Sequence, residues 1–256
     1  MIDTHCHIHD RQFDGDRDAV VARARAAGVR AMVTVGESVA DSGRAVAAAR
    51  DYGCFAAVGI HPHAAKDAPA DIAAALRPLL AERRVVALGE AGLDYYYDRS
   101  PRDVQQRVLR AQLQLARDAG IPVIFHHRDA FEDFTAILRE EWNASMRGVV
   151  HCFTGGPEQA RTYCDEFGLL LGIGGVVTFP NAAPLRDAVQ AAGIERIVLE
   201  TDCPYLSPVP LRGKRNEPSF VTHTASKVSA LLGMPLEGVI ERTDANAGRL
   251  FGELNA

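Results

Sequence analysis

Two histidines one residue apart, His5 and His7, open a set of six side chains whose types suit divalent cations. Glu90, His126, His151 and Asp202 complete it, each beside the end of a short apolar run. In an extended strand successive side chains alternate faces, so His5 and His7 share a face while Cys6 points away. Two imidazoles on one rigid element form a pincer for a cation. Taken singly, Glu90 reads equally as a buried acid paired with an arginine, and His126 or His151 as a hydrogen-bonded core histidine. Taken together, burying so many ionisable groups without ions would be expensive. Imidazole with carboxylate suits Zn²⁺, Mn²⁺ or Mg²⁺, whereas a sulfur-dominated set would mark structural zinc. Six donors exceed one tetrahedral site with an open position. Two ions sharing a bridging carboxylate account for the number, as in hydrolases whose paired metals lie about 3.5–4 Å apart. Glu90 is the expected bridge. Asp202 is expected to ligate and to accept a proton from the metal-activated water.

Positioning such a set takes several elements that converge at one end. Short β-type runs alternate with Ala-, Arg- and Leu-rich helical stretches, the pattern of parallel strands joined by crossover helices. The expected strands are Met1 to Thr4, Ala31 to Val35, Phe55 to Val58, Val85 to Leu88, Val123 to Phe125, Val149 to Val150, Leu169 to Ile173 and Ile197 to Leu199. Stripes at helical spacing, such as Val104, Val108, Ala111 and Leu115, supply the partners. Gly28 and Gly120 stand where helices should stop. Eight units in 256 residues, or 32 each, predict a (β/α)8 TIM barrel of about 250 residues as a single domain over 1–256. In that fold function gathers at the carboxyl ends of the strands, where the six side chains fall.

Composition narrows the function classes. A net charge of −5 excludes a broad basic field for coating nucleic acid, so any phosphate binding must be local. No apolar stretch approaches the roughly 18 residues of a membrane span, and no secretory signal is readable. Five cysteines without a Cys-x-x-Cys pair are expected to be free thiols, which fits a reducing, cytoplasmic setting.

Longer strings run through almost the entire chain: Asp3-Thr4-His5-Cys6-His7, Gly59-Ile60-His61-Pro62-His63, Gly89-Glu90-Ala91-Gly92-Leu93-Asp94-Tyr95-Tyr96, His126-His127-Arg128-Asp129-Ala130, His151-Cys152-Phe153-Thr154-Gly155, Glu200-Thr201-Asp202-Cys203-Pro204-Tyr205 and Arg212-Gly213-Lys214-Arg215-Asn216-Glu217-Pro218. With these the chain closely resembles the TatD family of metal-dependent deoxyribonucleases, among the amidohydrolase-like TIM barrels. The resemblance implies a two-metal phosphodiesterase acting on DNA. It would place one ion among His5, His7, Glu90 and Asp202, and the other among Glu90, His126 and His151.

Substrate contacts are expected from Arg212, Lys214 and Arg215 in the loop after the last strand, and from Arg128. Asp94 and Tyr95 belong to the same expectation, with at most one stacking tyrosine among Tyr95, Tyr96 and Tyr97. His61 and His63 read equally as phosphate contacts or polar loop residues. His127 is expected beside the pocket, His9 on the surface, and His223 out of play. An acidic chain with a narrow loop-built site favours a single strand or an end over wrapped duplex. Two other functions stay open on the residues alone. One is an amidohydrolase or lactonase acting on a small substrate. A carboxylated-lysine bridge is excluded there, because no lysine lies between Lys66 and Lys214. The other is a noncatalytic interaction protein, against which the retention of all six donors argues.

Overall fold

The computed structural model describes residues 1–254, so the last two residues of the expected 1–256 unit lie outside the described residues. Eight strands are β1 (Ile2–Cys6), β2 (Ala31–Val35), β3 (Phe55–Val58), β4 (Val85–Asp94), β5 (Val123–Arg128), β6 (Gly148–Val150), β7 (Leu170–Ile173) and β8 (Ile197–Leu199). They follow one another in chain order, and every adjacent pair is parallel. The helices are α1 (Arg17–Ala26), α2 (Val39–Tyr52), α3 (Ile72–Leu80), α4 (Arg102–Ala119), α5 (Phe131–Glu141), α6 (Pro157–Arg161), α7 (Ala183–Ala192), α8 (Val221–Leu232) and α9 (Leu236–Phe251). This is the expected (β/α)8 barrel. Gly120 caps α4 in the left-handed region, and Gly28 follows α1 with φ +84, as their positions predicted. Among the described residues, no helix is long and apolar enough to cross a membrane, and all five cysteines are free thiols.

Hydrophobic burial organises the barrel in two clusters. The larger packs Met32, Val58, Leu88, Phe125, Leu171 and Leu199 from the strands against helix residues such as Leu109, Leu113, Phe134 and Val228. A smaller one gathers Val33, Ala57, Ala87, Ile124, Val149 and Val198, joined by Leu250, Phe251 and Leu254 near the chain's end. The seam between β8 and β1 is stitched where the expected ligands stand. The Asp202 amide donates to His5 O at 2.9 Å and the His7 amide to Cys203 O at 2.8 Å. Deeper in the seam, Thr4 Oγ1 donates to Leu199 O at 3.0 Å.

Two strands depart from regular pairing at a site residue. Between Asp3 and Cys6, β1 carries one residue more than β2, and between Leu88 and Ala91, β4 carries one more than β5. The first irregularity brackets His5 and the second Glu90. Bulges of this kind re-aim side chains and concentrate beside active sites. Strands β4 and β5 then run on to Asp94 and Arg128, with Gly92 opposite His126. A Cβ on Gly92 would lie 1.7 Å from His126 O, so only glycine admits the two backbones. Gly92→Ala is expected to cost about 3 kcal/mol or more. Denaturant unfolding measures this, and a variant of unchanged stability would show that the strands part freely.

Candidate metal centre

The ends of β1, β4, β5, β6 and β8 deliver the six donors to one largely buried cluster. From β1, His5 Nε2 and His7 Nε2 lie 3.3 Å apart. The His7 ring is aimed by its other nitrogen, Nδ1, which sits 2.8 Å from Val35 O at the end of β2. From beyond β8, Asp202 Oδ1 lies 3.4 Å from His7 Nε2 and 3.8 Å from His5 Nε2. Glu90, from the irregular part of β4, divides its two oxygens. Oε2 faces His5 Nε2 at 3.5 Å, while Oε1 lies 2.8 Å from His126 Nδ1 and 3.0 Å from His151 Nε2. The His151 ring stacks on that of His5 at 3.7 Å between centroids. All six expected donors are thus brought together.

Three flanking strand ends carry left-handed residues, with φ +53 at Asp129, +45 at Cys152 and +56 at Asp202. Such conformations outside glycine persist where surrounding structure over-determines them, commonly at functional sites.

The electrostatics follow from crowding ionisable groups away from water. Burial pushes the His7 imidazole down, but hydrogen bonding to Asp202, with the charges of Asp202, Glu37 and Glu90, outweighs it and lifts the ring to about 10. Burial would raise Glu90, yet His151, His61 and His126 hold its carboxyl well below the ordinary range. Asp202 is likewise held below its ordinary value, with burial opposed by His7, His151 and His5. Convergent imidazole nitrogens around ionised carboxylates fit divalent cations, by both the chemistry and the separation of the donors.

Other expected site residues fall in varied places. His61 is buried, with Nε2 3.1 Å from His126 Nδ1 and 3.5 Å from Glu90 Oε1, which puts it at the edge of the donor cluster. His63 Nε2 and His126 Nε2 both lie 3.0 Å from Asp94 Oδ2. Asp94 is therefore an orienting partner of His126, and its other oxygen accepts from the Tyr96 and Tyr97 amides. The Tyr95 hydroxyl donates to Asp133, while Arg102 covers its ring at 4.3 Å. Tyr96 and Tyr97 are the exposed members of the run. Arg128 lies over both, 3.9 Å from the Tyr96 centroid, and its guanidinium forms no ion pair with Asp129 among the described contacts. Arg212 and Lys214 are exposed, with Arg212 over the Phe179 ring at 3.7 Å. Arg215 is drawn into a two-point pair with Asp16 at 2.8 and 2.6 Å, a partner that chain separation had hidden.

His9, expected on the surface, is buried, with Nδ1 2.7 Å from Thr34 Oγ1 and Nε2 3.1 Å from Asp41 Oδ2. It follows the tightly packed β1 pincer instead of entering solvent. Residues the sequence reading passed over include Glu200, fully buried, with Oε1 3.4 Å from His151 Nδ1 and accepting from the Cys152 amide. A Cβ on Gly172 would stand 2.2 Å from Glu200 Oε2, so that glycine makes its room. Glu37, just past β2, was also missed. An acid beside the end of an apolar run was the available signal for both.

Comparison with known proteins bears on the family and the fold. Residues 2–252 match the family model described as TatD related DNase. The chain is 42% identical over 252 residues to the uncharacterized metal-dependent hydrolase YabD of Bacillus subtilis, covering 98% of each. It is also 42% identical over 258 residues to the 3′-5′ ssDNA/RNA exonuclease TatD of Cronobacter turicensis, covering 98% of this chain and 97% of the relative. The crystal structure of YjjV, a TatD homologue from Escherichia coli K12, superposes with a TM-score of 0.92 at 30% identity, covering 99% of this chain and 98% of that one. The chain belongs to the TatD-related DNase family of metal-dependent hydrolases.

Proposed function

We propose that the protein trims single-stranded nucleic acid from an end by hydrolysing phosphodiester bonds, with DNA as substrate and two divalent ions at the centre. The observation that carries this reading is the division of Glu90, one oxygen toward His5 and the other toward His126 and His151. In this reading His5, His7, Glu90 and Asp202 hold one ion and Glu90, His126 and His151 the other, the metals being Zn²⁺, Mn²⁺ or Mg²⁺. Paired ions of this kind supply charge neutralisation on the phosphoryl group and water activation.

The remaining work falls to the chain. Asp202, ionised at neutral pH, accepts a proton within hydrogen-bond reach. Asp94 fixes the His126 ring, and Glu200 faces that of His151 at 3.4 Å. His61 and His63 border the centre as the phosphate contacts of this reading, and Arg212 and Lys214 carry exposed charge on the loop after β8. Relatives about 40% identical that are named single-strand exonucleases support this choice over an amide or lactone substrate. Five free thiols fit a reducing cytoplasmic setting.

Metal-loaded enzyme assayed on end-labelled and circular single-stranded DNA, beside amide and lactone panels, tests the proposal. Progressive shortening from ends is expected; turnover confined to amides or lactones would overturn it. Because partners of ligating histidines set ring orientation and basicity, Glu200→Gln is expected to weaken metal affinity about 10–100-fold. Calorimetric metal titration checks this, and unchanged affinity would remove Glu200 from the site.

A further inference from the structure

We propose that the cavity beside the metal centre, between the loops that follow β5 and β6, is a nucleobase subsite in which the terminal base of a single strand stacks on Tyr96. The proposal rests on the single-strand hydrolase reading above and adds where the base goes.

The cavity has a volume of about 680 Å³ and is lined by Tyr96, Phe131 and Phe153 among others. That size lies within the ~300–1,000 Å³ range of small-molecule sites. It contains none of the six metal-centre residues, yet begins one residue beyond them. His127 and Arg128 follow His126, and Phe153 lies two past His151. A nucleotide whose phosphate rests on the centre therefore has this cavity within reach of its base.

Tyr96 is built as a platform. Its amide is tied to Asp94 Oδ1 at 3.1 Å, and the other oxygen of Asp94 holds His126, so one carboxylate links the platform to the centre. The Arg128 guanidinium backs one side of the ring at 3.9 Å, and the Tyr97 ring braces it edge-on at 4.8 Å. With these supports Tyr96 is still 57% exposed, which leaves area for a stacking partner. His127 Nε2, also on the lining residues, is buried without a hydrogen-bond partner.

Charge separates a base from a second phosphate as the occupant. Asp129, Glu132 and Asp133 line the cavity against the single cation Arg128, whose guanidinium already lies on tyrosine rings. Carboxylates repel phosphate but accept from the amino and imino groups of bases. The rest of the strand has its own path across the mouth. Tyr96, Tyr97, Tyr205, Leu206 and Val209 are the large exposed hydrophobics among the described residues, and they lie on the loops after β4 and β8, opposite in the ring. The centre lies between these loops.

A short single strand carrying 2-aminopurine at its 3′ end, joined by a hydrolysis-resistant phosphorothioate linkage, reports stacking by fluorescence quenching on the metal-loaded enzyme. Quenching is expected with the wild type and with Tyr96→Phe, and its loss with Tyr96→Ala. Stacking of one base corresponds to about 10-fold in affinity. The metal-loaded wild type should therefore show a KM about 10-fold higher when the terminal base is replaced by an abasic residue, and in Tyr96→Ala that ratio should fall to about 1. Quenching that survives Tyr96→Ala, or an abasic penalty unchanged in that variant, overturns the subsite. Loaded wild-type enzyme that leaves all single strands intact would instead overturn the functional reading.

Discussion

Replacing Glu90 by alanine is expected to lower phosphodiester hydrolysis about 10³-fold, the upper end of the scale on which one group in a preorganised site acts. Glu90 turns one oxygen to each half of the donor cluster, so its loss removes the shared carboxylate as well as subtracting charge. Without it, His126, His151 and His61 converge on an empty position, and the His5 ring is left with His7 at 3.3 Å and Asp202 at 3.8 Å. The backbone has no reason to change, since the Glu90 amide donates to Gly36 O at 3.2 Å whatever its side chain. Glu90→Gln sharpens the point by keeping the shape while removing the charge that pairs with imidazoles. Elemental analysis of bound metal, end-labelled single-strand digestion and circular dichroism together check the outcome. A folded Glu90→Ala variant with wild-type turnover would contradict the bridging role.

Stripping the ions is expected to abolish turnover and to lower the melting temperature, both reversed by added divalent metal. Without cations the chain buries His5, His7, His61 and His151 around Glu90. Uncompensated charge there is costly. Ions that bind the folded chain alone stabilise it by about 2.7 kcal/mol at a hundredfold excess over Kd. For a chain of this size each kcal/mol moves the midpoint by about 2–4 °C, which gives a fall of roughly 5–10 °C on chelation. Differential scanning calorimetry with and without chelator measures it. An identical midpoint and undiminished turnover in chelator would remove metals from the account.

The barrel was legible in the residues because its signals are local. The runs at Ala31–Val35, Phe55–Val58 and Ile197–Leu199 are bounded by their own apolar character, and the observed strands have the same limits. The six donors were legible for a related reason: each lies beside such a run, and the fold carries strand ends to one place. Periodicity could not show that β4 continues past Glu90 to Asp94, because an inserted residue breaks the alternation on which a strand is recognised. Long-range partners were equally hidden. Arg215 reads as a free cation beside Asp202 until Asp16 arrives from the other end of the chain. Tyr95, Tyr96 and Tyr97 read alike as stacking candidates until Asp133 and Arg102 claim the hydroxyl and ring of Tyr95, leaving Tyr96 and Tyr97 exposed. His9 reads as a surface residue until β2 and α2 supply Thr34 and Asp41.

Anomalous diffraction from crystals grown with Mn²⁺ puts the central claim to its most direct test. Two peaks about 3.5–4 Å apart are expected, each with one oxygen of Glu90 as a ligand. A lone peak remote from that carboxylate, or two ions bound without it, would contradict the account.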